Sequence, residues 1–370
     1  MRVLHIITGL AAGGAEHQLR LVLRHTRAQA QVAVLTNPGL LAQAIRAEGT
    51  PVHEVGMAGN TDLTALPRLA WIIRRGGYDV VHTHLYRSNV YGRVAARLAG
   101  TGAAIIATEH SLGDEHIEGR RLTSMARRMY LATERLGTAT VAVSPTVARR
   151  LVRWGVPPDR IEVIGNGIDA TAFAFDRARA ERIRASLGIP ADRFVVGSVG
   201  RLVAGKRVDA TLRALRGLPD VTALIVGDGR ERAALTALAG DLGVPAVFTG
   251  ETDDVSGYLS TMDLFVAASG EETFGLAVIE ALAAGLPVLY AACPALDDQP
   301  SPPPGARRLA HNLNDLRPAL AEAVRNGPVR LPVPAAVRHY DIAALAARTD
   351  DLYERLTQTH RQSPKQWSPA

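Results

Sequence analysis

Each half of this chain opens with an apolar run that goes straight into glycine: Val3 to Thr8 opens onto a turn from Gly9 to Gly14, and Phe194 to Val199 opens onto Gly200. Four strongly apolar residues in six, without polar alternation, read as a strand buried on both faces, which is the signature of a parallel sheet. Each run is followed by a helical pattern, Ala15 to Arg27 in the first case and Val208 to Arg216 in the second. The first cycle continues with strands at Gln31 to Thr36, Val52 to Val55, Val80 to His84, Ile105 to Thr108 and Ala139 to Val143. Helices at Leu40 to Glu48 and Leu63 to Arg75 intervene. The second adds strands at Ala223 to Val226, Ala246 to Thr249, Leu264 to Ala267 and Val288 to Ala291. Strand and helix in alternation predict an α/β chain built from two Rossmann-like halves, with ligands beyond the carboxyl ends of the strands.

The 370 residues exceed what one hydrophobic core serves, which agrees with two domains, here 1–165 and 166–341. Ile164 to Asp169, with the polar stretch to about Asp192, is the expected hinge between them, and the tail Ser363 to Ala370 is expected to be disordered. A single cysteine, Cys293, excludes an intrachain disulfide and any zinc site built on two cysteines, and points to a reducing compartment. No apolar run approaches the length of a membrane span, and the first residues are too short for a signal peptide, so the expected location is cytoplasmic. A net charge of +6 favours anionic partners. Aromatics at 5% and the absence of RNA-recognition or zinc-finger spacing argue against nucleic acid.

The segment Ser269 to Glu280 carries two acids eight residues apart, Glu272 and Glu280, around the start of a helix expected over Ala277 to Ala284. At the helical rise the pair spans about 12 Å, too far to share one proton or flank one bond. Between them the N–H groups of Phe274, Gly275 and Leu276 fall at a helix start, where backbone donors and the dipole favour phosphate. Acid, phosphate seat and acid suit a ligand that carries sugar, diphosphate and ribose. Cations Arg201 and Lys206, after the strand ending at Gly200, suit a diphosphate on which charge grows as a sugar bond breaks. Gly13 and Gly14 after the first strand allow a close backbone approach to a ligand, although they do not form G-x-G-x-x-G.

The form E-x-F-G-L-x-x-x-E followed by A-x-A-x-G-x-P-V resembles the signature of the family-four retaining glycosyltransferases of the GT-B fold, and the resemblance covers nearly the whole chain. It implies two Rossmann-like domains facing each other across a cleft, with helix 342–362 packing back on the first. It also implies a nucleotide-sugar donor, UDP- or GDP-linked, a hydroxyl acceptor, transfer with retention and no metal or other cofactor. Carried over residue by residue, Glu272 holds donor-sugar hydroxyls, Glu280 the ribose, and Arg201 and Lys206 the diphosphate. Gly13 and Gly14 match a G-G-x-E loop, and His110 matches the active-site histidine. Gly227, Gly250 and Glu251 lie in turns that border the base. Arg207 stands where the motif often has glycine. The turn Cys293 to Gln299 departs from the glycine-rich turn of the family, which makes pocket closure a point of difference.

His82 and His84 alternate on one strand with no third metal ligand evident in sequence. Arg120-Arg121 and Arg127-Arg128, seven apart on an expected amphipathic helix with Met125 and Met129, fit contact with an anionic membrane, and equally an ordinary surface helix. Alternatives to transfer are a nucleotide-sugar hydrolase or epimerase on the same fold, and a non-catalytic nucleotide-sugar-binding protein.

Overall fold

The computed structural model describes residues 1–362 except 12, 60, 115, 118 and 119, and no side chain at 120 or 359–362. The expected disorder of Ser363 to Ala370 therefore lies outside the described residues. The chain forms two compact units, residues 1–167 with the stretch from Ile342 onward, and Ile168–Asp341.

Unit 1 begins with β1 (Arg2–Ile7), α1 (Gly14–His25), β2 (Gln29–Val34), α2 (Gly39–Ala47), β3 (Val52–Glu54), α3 (Ala65–Gly76), β4 (Val80–His84), α4 (Tyr86–Ala99) and β5 (Ala104–Glu109). A small hairpin of β6 (His116–Ile117) and β7 (Arg120–Arg121) follows. Then come α5 (Ser124–Glu134), β8 (Ala139–Ala142), α6 (Pro145–Trp154) and β9 (Ile161–Val163). The sheet is all parallel in the order β3-β2-β1-β4-β5-β8-β9, so the order reverses between β1 and β4. Alternation along β1 divides its side chains between two cores. Leu4 and Ile6 pack with Leu69, Ile73 and Tyr91 of α3 and α4, while Ile7 packs with Leu19 of α1 and Ile45 of α2.

Unit 2 holds α7 (Arg177–Ser186), β10 (Phe194–Val199), α8 (Val208–Leu215), β11 (Val221–Val226), α9 (Arg232–Leu242), β12 (Ala246–Phe248) and α10 (Val255–Thr261). It continues with β13 (Leu264–Ala267), α11 (Leu276–Ala283), β14 (Val288–Tyr290), α12 (Pro294–Asp297), β15 (Ala306–Arg308), α13 (Leu316–Asn326) and α14 (Ala335–Arg338). Its sheet is also all parallel, β12-β11-β10-β13-β14-β15, and reverses between β10 and β13. The polar stretch from 170 to 192, expected as part of a hinge, instead carries α7 inside unit 2, N-capped by Asp176. α7 is packed on α10, and Arg179 reaches Asp254 at 2.5 Å.

The last helix, α15 (Ile342–Gln362), belongs to unit 1. Its buried stripe Ile342, Leu345, Ala346, Thr349, Asp350, Tyr353 follows helical spacing. Asp350 accepts from Thr26 Oγ1 at 2.6 Å and from the Arg27 N–H at 2.8 Å, which ties the helix to the chain just past α1. Among the described residues no helix is long and apolar enough to cross a membrane.

Candidate functional site

In unit 2 the reversal of strand order fixes where a ligand can sit, because the loops leaving β10 and β13 diverge and open a crevice at the sheet's carboxyl edge. Arg201 and Lys206 follow β10, and Glu272 follows β13. Lys206 Nζ lies 2.5 Å from Glu272 Oε1 in a partly buried ion pair. Arg201 is exposed, and its guanidinium makes no hydrogen bond or ion pair among the described residues. Arg207 holds φ +52°, which accounts for glycine being favoured at this place in the motif, and donates to the His311 carbonyl at 2.9 Å.

α11 starts at Leu276, with Gly275 as its N-cap at φ +99° and Phe274 buried just before it. The N–H groups of Phe274, Gly275 and Leu276 have no acceptor among the described residues, so three donors cluster at the positive end of the helix. Glu280 lies on the same helix, half-buried, and desolvation raises its carboxyl to about 7. Gly227 and Gly250 bridge each other, the Gly227 N–H donating to Gly250 O at 3.0 Å, and Glu251 is exposed beside them. Gly227 holds φ +125° with the Gly200 carbonyl against the position a Cβ would take, so only glycine lets this turn close on the one at Gly200.

The divergent turn is ordered by contacts with α11. The Cys293 thiol donates to Phe274 O at 3.4 Å, Ala295 N–H to the same carbonyl at 2.9 Å, and Cys293 N–H to Asp297 Oδ2 at 2.8 Å. Burial pushes the thiol well above its ordinary value, so Cys293 is a packing residue under the helix start rather than a nucleophile. Two concavities of unit 2 lie elsewhere, one against Phe194, Leu264 and Val288, the other against Arg177, Arg184 and Arg330. Phe194, Leu264 and Val288 are the first residues of their strands, so the former concavity is at the edge opposite the carboxyl ends.

In unit 1, Gly13 and Gly14 form the N-cap and first residue of α1, and a Cβ on Gly13 would collide with the Glu16 carboxylate folded back on the helix start. His110 follows β5, half-buried, and burial lowers it to about 4. Register places His5 beside His82 and Ile7 beside His84, so the three histidines share one face of the sheet. His5 is the third member that sequence reasoning missed, because only strand register sets it opposite His82. All three are buried, with nitrogens within 4.8 Å of one another. Most of those nitrogens are already engaged. His82 contacts Tyr353 Oη at 2.5 Å and Thr108 Oγ1 at 2.6 Å, while His84 contacts His5 Nδ1 at 3.0 Å and His110 Nε2 at 3.2 Å.

The expected basic helix is corrected. Arg120 and Arg121 form β7, not a helical turn, because the chain pairs with β6 before α5 begins at Ser124 behind its Thr123 cap. Arg127 is spent on the carboxyl end of α6, donating to Trp154 O at 2.9 and 3.1 Å. Of the expected basic face, α5 keeps Arg128 exposed beside Met125 and Met129.

The profile described as Glycosyltransferase Family 4 matches residues 11–172, and that described as Glycosyl transferases group 1 matches residues 179–299. A GDP-mannose-dependent alpha-mannosyltransferase of Mycobacterium tuberculosis is 32% identical over 290 residues, covering 75% of this chain and 74% of that protein. A D-inositol 3-phosphate glycosyltransferase of Acidothermus cellulolyticus is 34% identical over 245 residues, which is 58% of this chain and about half, 52%, of that protein. The crystal structure of Anabaena HepE in complex with UDP and glucose superposes with a TM-score of 0.81 at 22% identity, over 96% of this chain and 100% of that one.

Proposed function

This chain belongs to the family-four glycosyltransferases of the GT-B fold, and from that premise we propose that it transfers a hexose from a UDP- or GDP-linked donor to a hydroxyl acceptor with retention and without a metal ion. The observation that carries the reading is the Lys206–Glu272 pair at the strand-order reversal of unit 2, next to the open N–H groups at the start of α11.

In this reading the diphosphate takes the place beside Lys206, Arg201 and the α11 amides, which supply fixed positive charge where the β-phosphate gains negative charge. Glu272 accepts from donor-sugar hydroxyls and Glu280 from ribose hydroxyls. The bond between anomeric carbon and β-phosphate oxygen breaks, the acceptor oxygen bonds to the same face of that carbon, and the acceptor proton passes to the departing phosphate. His110 is assigned contact with the sugar through its match to the family's active-site histidine. The GDP-mannose relative and the UDP-bound neighbour support a nucleoside diphosphate donor, and both bases belong in the test.

Thermal shift against UDP-, GDP- and TDP-sugars selects the donor, followed by product analysis with glycan, lipid-linked and small-molecule acceptors. Stabilisation by one donor class, abolished transfer in Glu272→Ala and a retained anomeric configuration are expected. Free sugar without any acceptor product would move the reading to a hydrolase. No stabilisation by any donor would end it. Contact with an anionic bilayer now rests on the smaller patch of Met125, Arg128 and Met129, and co-sedimentation with anionic vesicles tests it.

A further inference from the structure

The face of the unit 1 sheet under α15 carries a line of imidazoles where a parallel sheet ordinarily carries aliphatic side chains. His5 sits at the middle of β1, His84 at the end of β4, and His110 just past β5, so the line runs along the sheet toward the carboxyl edge where the strand order reverses. Two hydrogen bonds join the three rings, His5 Nδ1 to His84 Nε2 at 3.0 Å and His84 Nδ1 to His110 Nε2 at 3.2 Å. Leu85, directly after His84, holds φ +74°, a conformation that costs a non-glycine residue about 1–3 kcal/mol and persists only where the surroundings impose it. The backbone is therefore held in a strained form at the residue that follows the central ring.

We propose that His84, backed by His5, is a positioning residue that fixes the ring plane and tautomer of His110, leaving His110 neutral with its one proton on Nδ1. This rests on the reading of His110 as a group that touches the sugar. Three neutral imidazoles hold three N–H protons, and the two hydrogen bonds use two of them. The chain can run in either direction, and its two ends, His5 Nε2 and His110 Nδ1, are both fully buried. In the reading of His110 above, a proton on His110 Nδ1 gains an acceptor when the sugar binds, whereas one on His5 Nε2 has no hydrogen-bond partner and would stay an orphaned buried N–H, the rarer arrangement in folded proteins. With His5 protonated on Nδ1 instead, that proton bonds to His84 Nε2, the His84 Nδ1 proton bonds to His110 Nε2, and the third proton falls on His110 Nδ1. Burial disfavours a fourth proton: His5 is lowered to about 3 and His84 is lowered by desolvation and by its histidine neighbours. His110 then presents an N–H donor and cannot act as a base through Nε2, which agrees with a reaction whose acceptor proton goes to phosphate.

His5, His82 and His84 do not make a preformed metal site, since both nitrogens of His82, both of His84 and His5 Nδ1 are engaged, which leaves His5 Nε2. Nitrogen-15 NMR of the histidine-labelled full chain, with His110 assigned by its loss in His110→Asn, reads the tautomer directly. Protonated Nδ1 and bare Nε2 are expected; the opposite tautomer, an imidazolium, or stoichiometric zinc in the purified protein overturns the proposal.

Kinetics provide the second arm. His84→Leu is expected to lower kcat about tenfold or more, as a misplaced reacting-site group does, with donor KM within about twofold. His84→Asn, whose amide overlays the Nδ1 side of the ring, is expected to recover most of kcat. If His110→Ala loses transfer while His84→Leu equals wild type, this inference fails and the reading of His110 stands. If His110→Ala is itself fully active, the reading of His110 fails first. Should His84→Leu not fold, the wild-type NMR result decides alone.

Discussion

Lys206 and Glu272, which sequence assigns to different parts of one ligand, are bonded to each other at 2.5 Å. A charge-assisted contact of this kind presets both side chains, so a donor meets a carboxylate and an ammonium already aimed at the same small volume. Lys206→Ala is expected to weaken donor binding about tenfold, or about 1.4 kcal/mol, and to lower kcat as well. Glu272→Gln is expected to lower kcat by about two orders of magnitude with nucleoside diphosphate affinity nearly unchanged. Isothermal titration with UDP and GDP beside steady-state kinetics separates the two effects.

Glu280 provides a pH signature. Its carboxyl is raised to about 7 by burial, so near neutrality it is divided between a carboxylate, which accepts from two ribose hydroxyls, and an acid, which accepts less strongly. Donor affinity is expected to rise as pH goes from 6 to 8, and Glu280→Gln is expected to flatten the rise. The stability sign is opposite. A folded value above the ordinary one means that stability from this group is present at low pH and is lost as pH rises from the ordinary carboxylate range through about 7. Glu280→Gln should therefore gain stability relative to wild type at pH 8 and not at pH 4, which urea titrations at both values check.

The histidine face of unit 1 titrates in the other direction. Folded values depressed below the ordinary 6.5 mean that its contribution to stability is full above that value and is lost progressively as pH falls, toward about 3 for His5 and about 4 for His110. Denaturation midpoints are expected to drop between pH 7 and 5. His5→Leu is expected to show a shallower drop, which a melting series in matched buffers measures.

Gly275 is held by two independent constraints, φ +99° and a Cys293 Sγ that a Cβ would meet at 2.5 Å. Gly275→Ala is expected to destabilise by about 2 kcal/mol. Adding Cys293→Ala removes the collision and not the dihedral, so the double variant should recover only part of the loss. Urea unfolding of the two single variants and the double variant closes that cycle.

Local pattern made most of both sheets legible: β4, β10 and β13 coincide with the strands read from apolar runs, the other strands read differ at their ends by one or two residues, and the three-residue edge strands β9 and β15 went unread. Motifs brought Glu272, Lys206, Arg201 and the α11 start into one neighbourhood, because residues that follow adjacent strands at a reversal of order line the same crevice. What stayed hidden depended on pairing between distant segments. His5 joins His82 only through strand register, and the Lys206–Glu272 bond needs the loops of β10 and β13 in place. The basic helix failed because a period of seven between Arg120 and Arg127 is also met by a strand followed by a helix, and no residue between them breaks the pattern until Thr123 caps α5. The polar stretch before Asp192 looked like a linker because α7 buries little beyond Ala180 of its own residues.

Unit 1 is completed from both ends of the chain, with all of unit 2 between. During synthesis its nine strands are available once residue 163 has emerged, yet the face that holds His5, His82 and Thr108 gains its cover only when Tyr353 and Asp350 of α15 arrive. At about 5–20 residues per second that gap lasts roughly 10 to 40 s. A nascent chain thus carries a nearly finished first sheet with a wet, imidazole-lined patch beside α1 while an entire second domain folds. Polar groups in that patch tolerate the wait in water better than a bare aliphatic surface would.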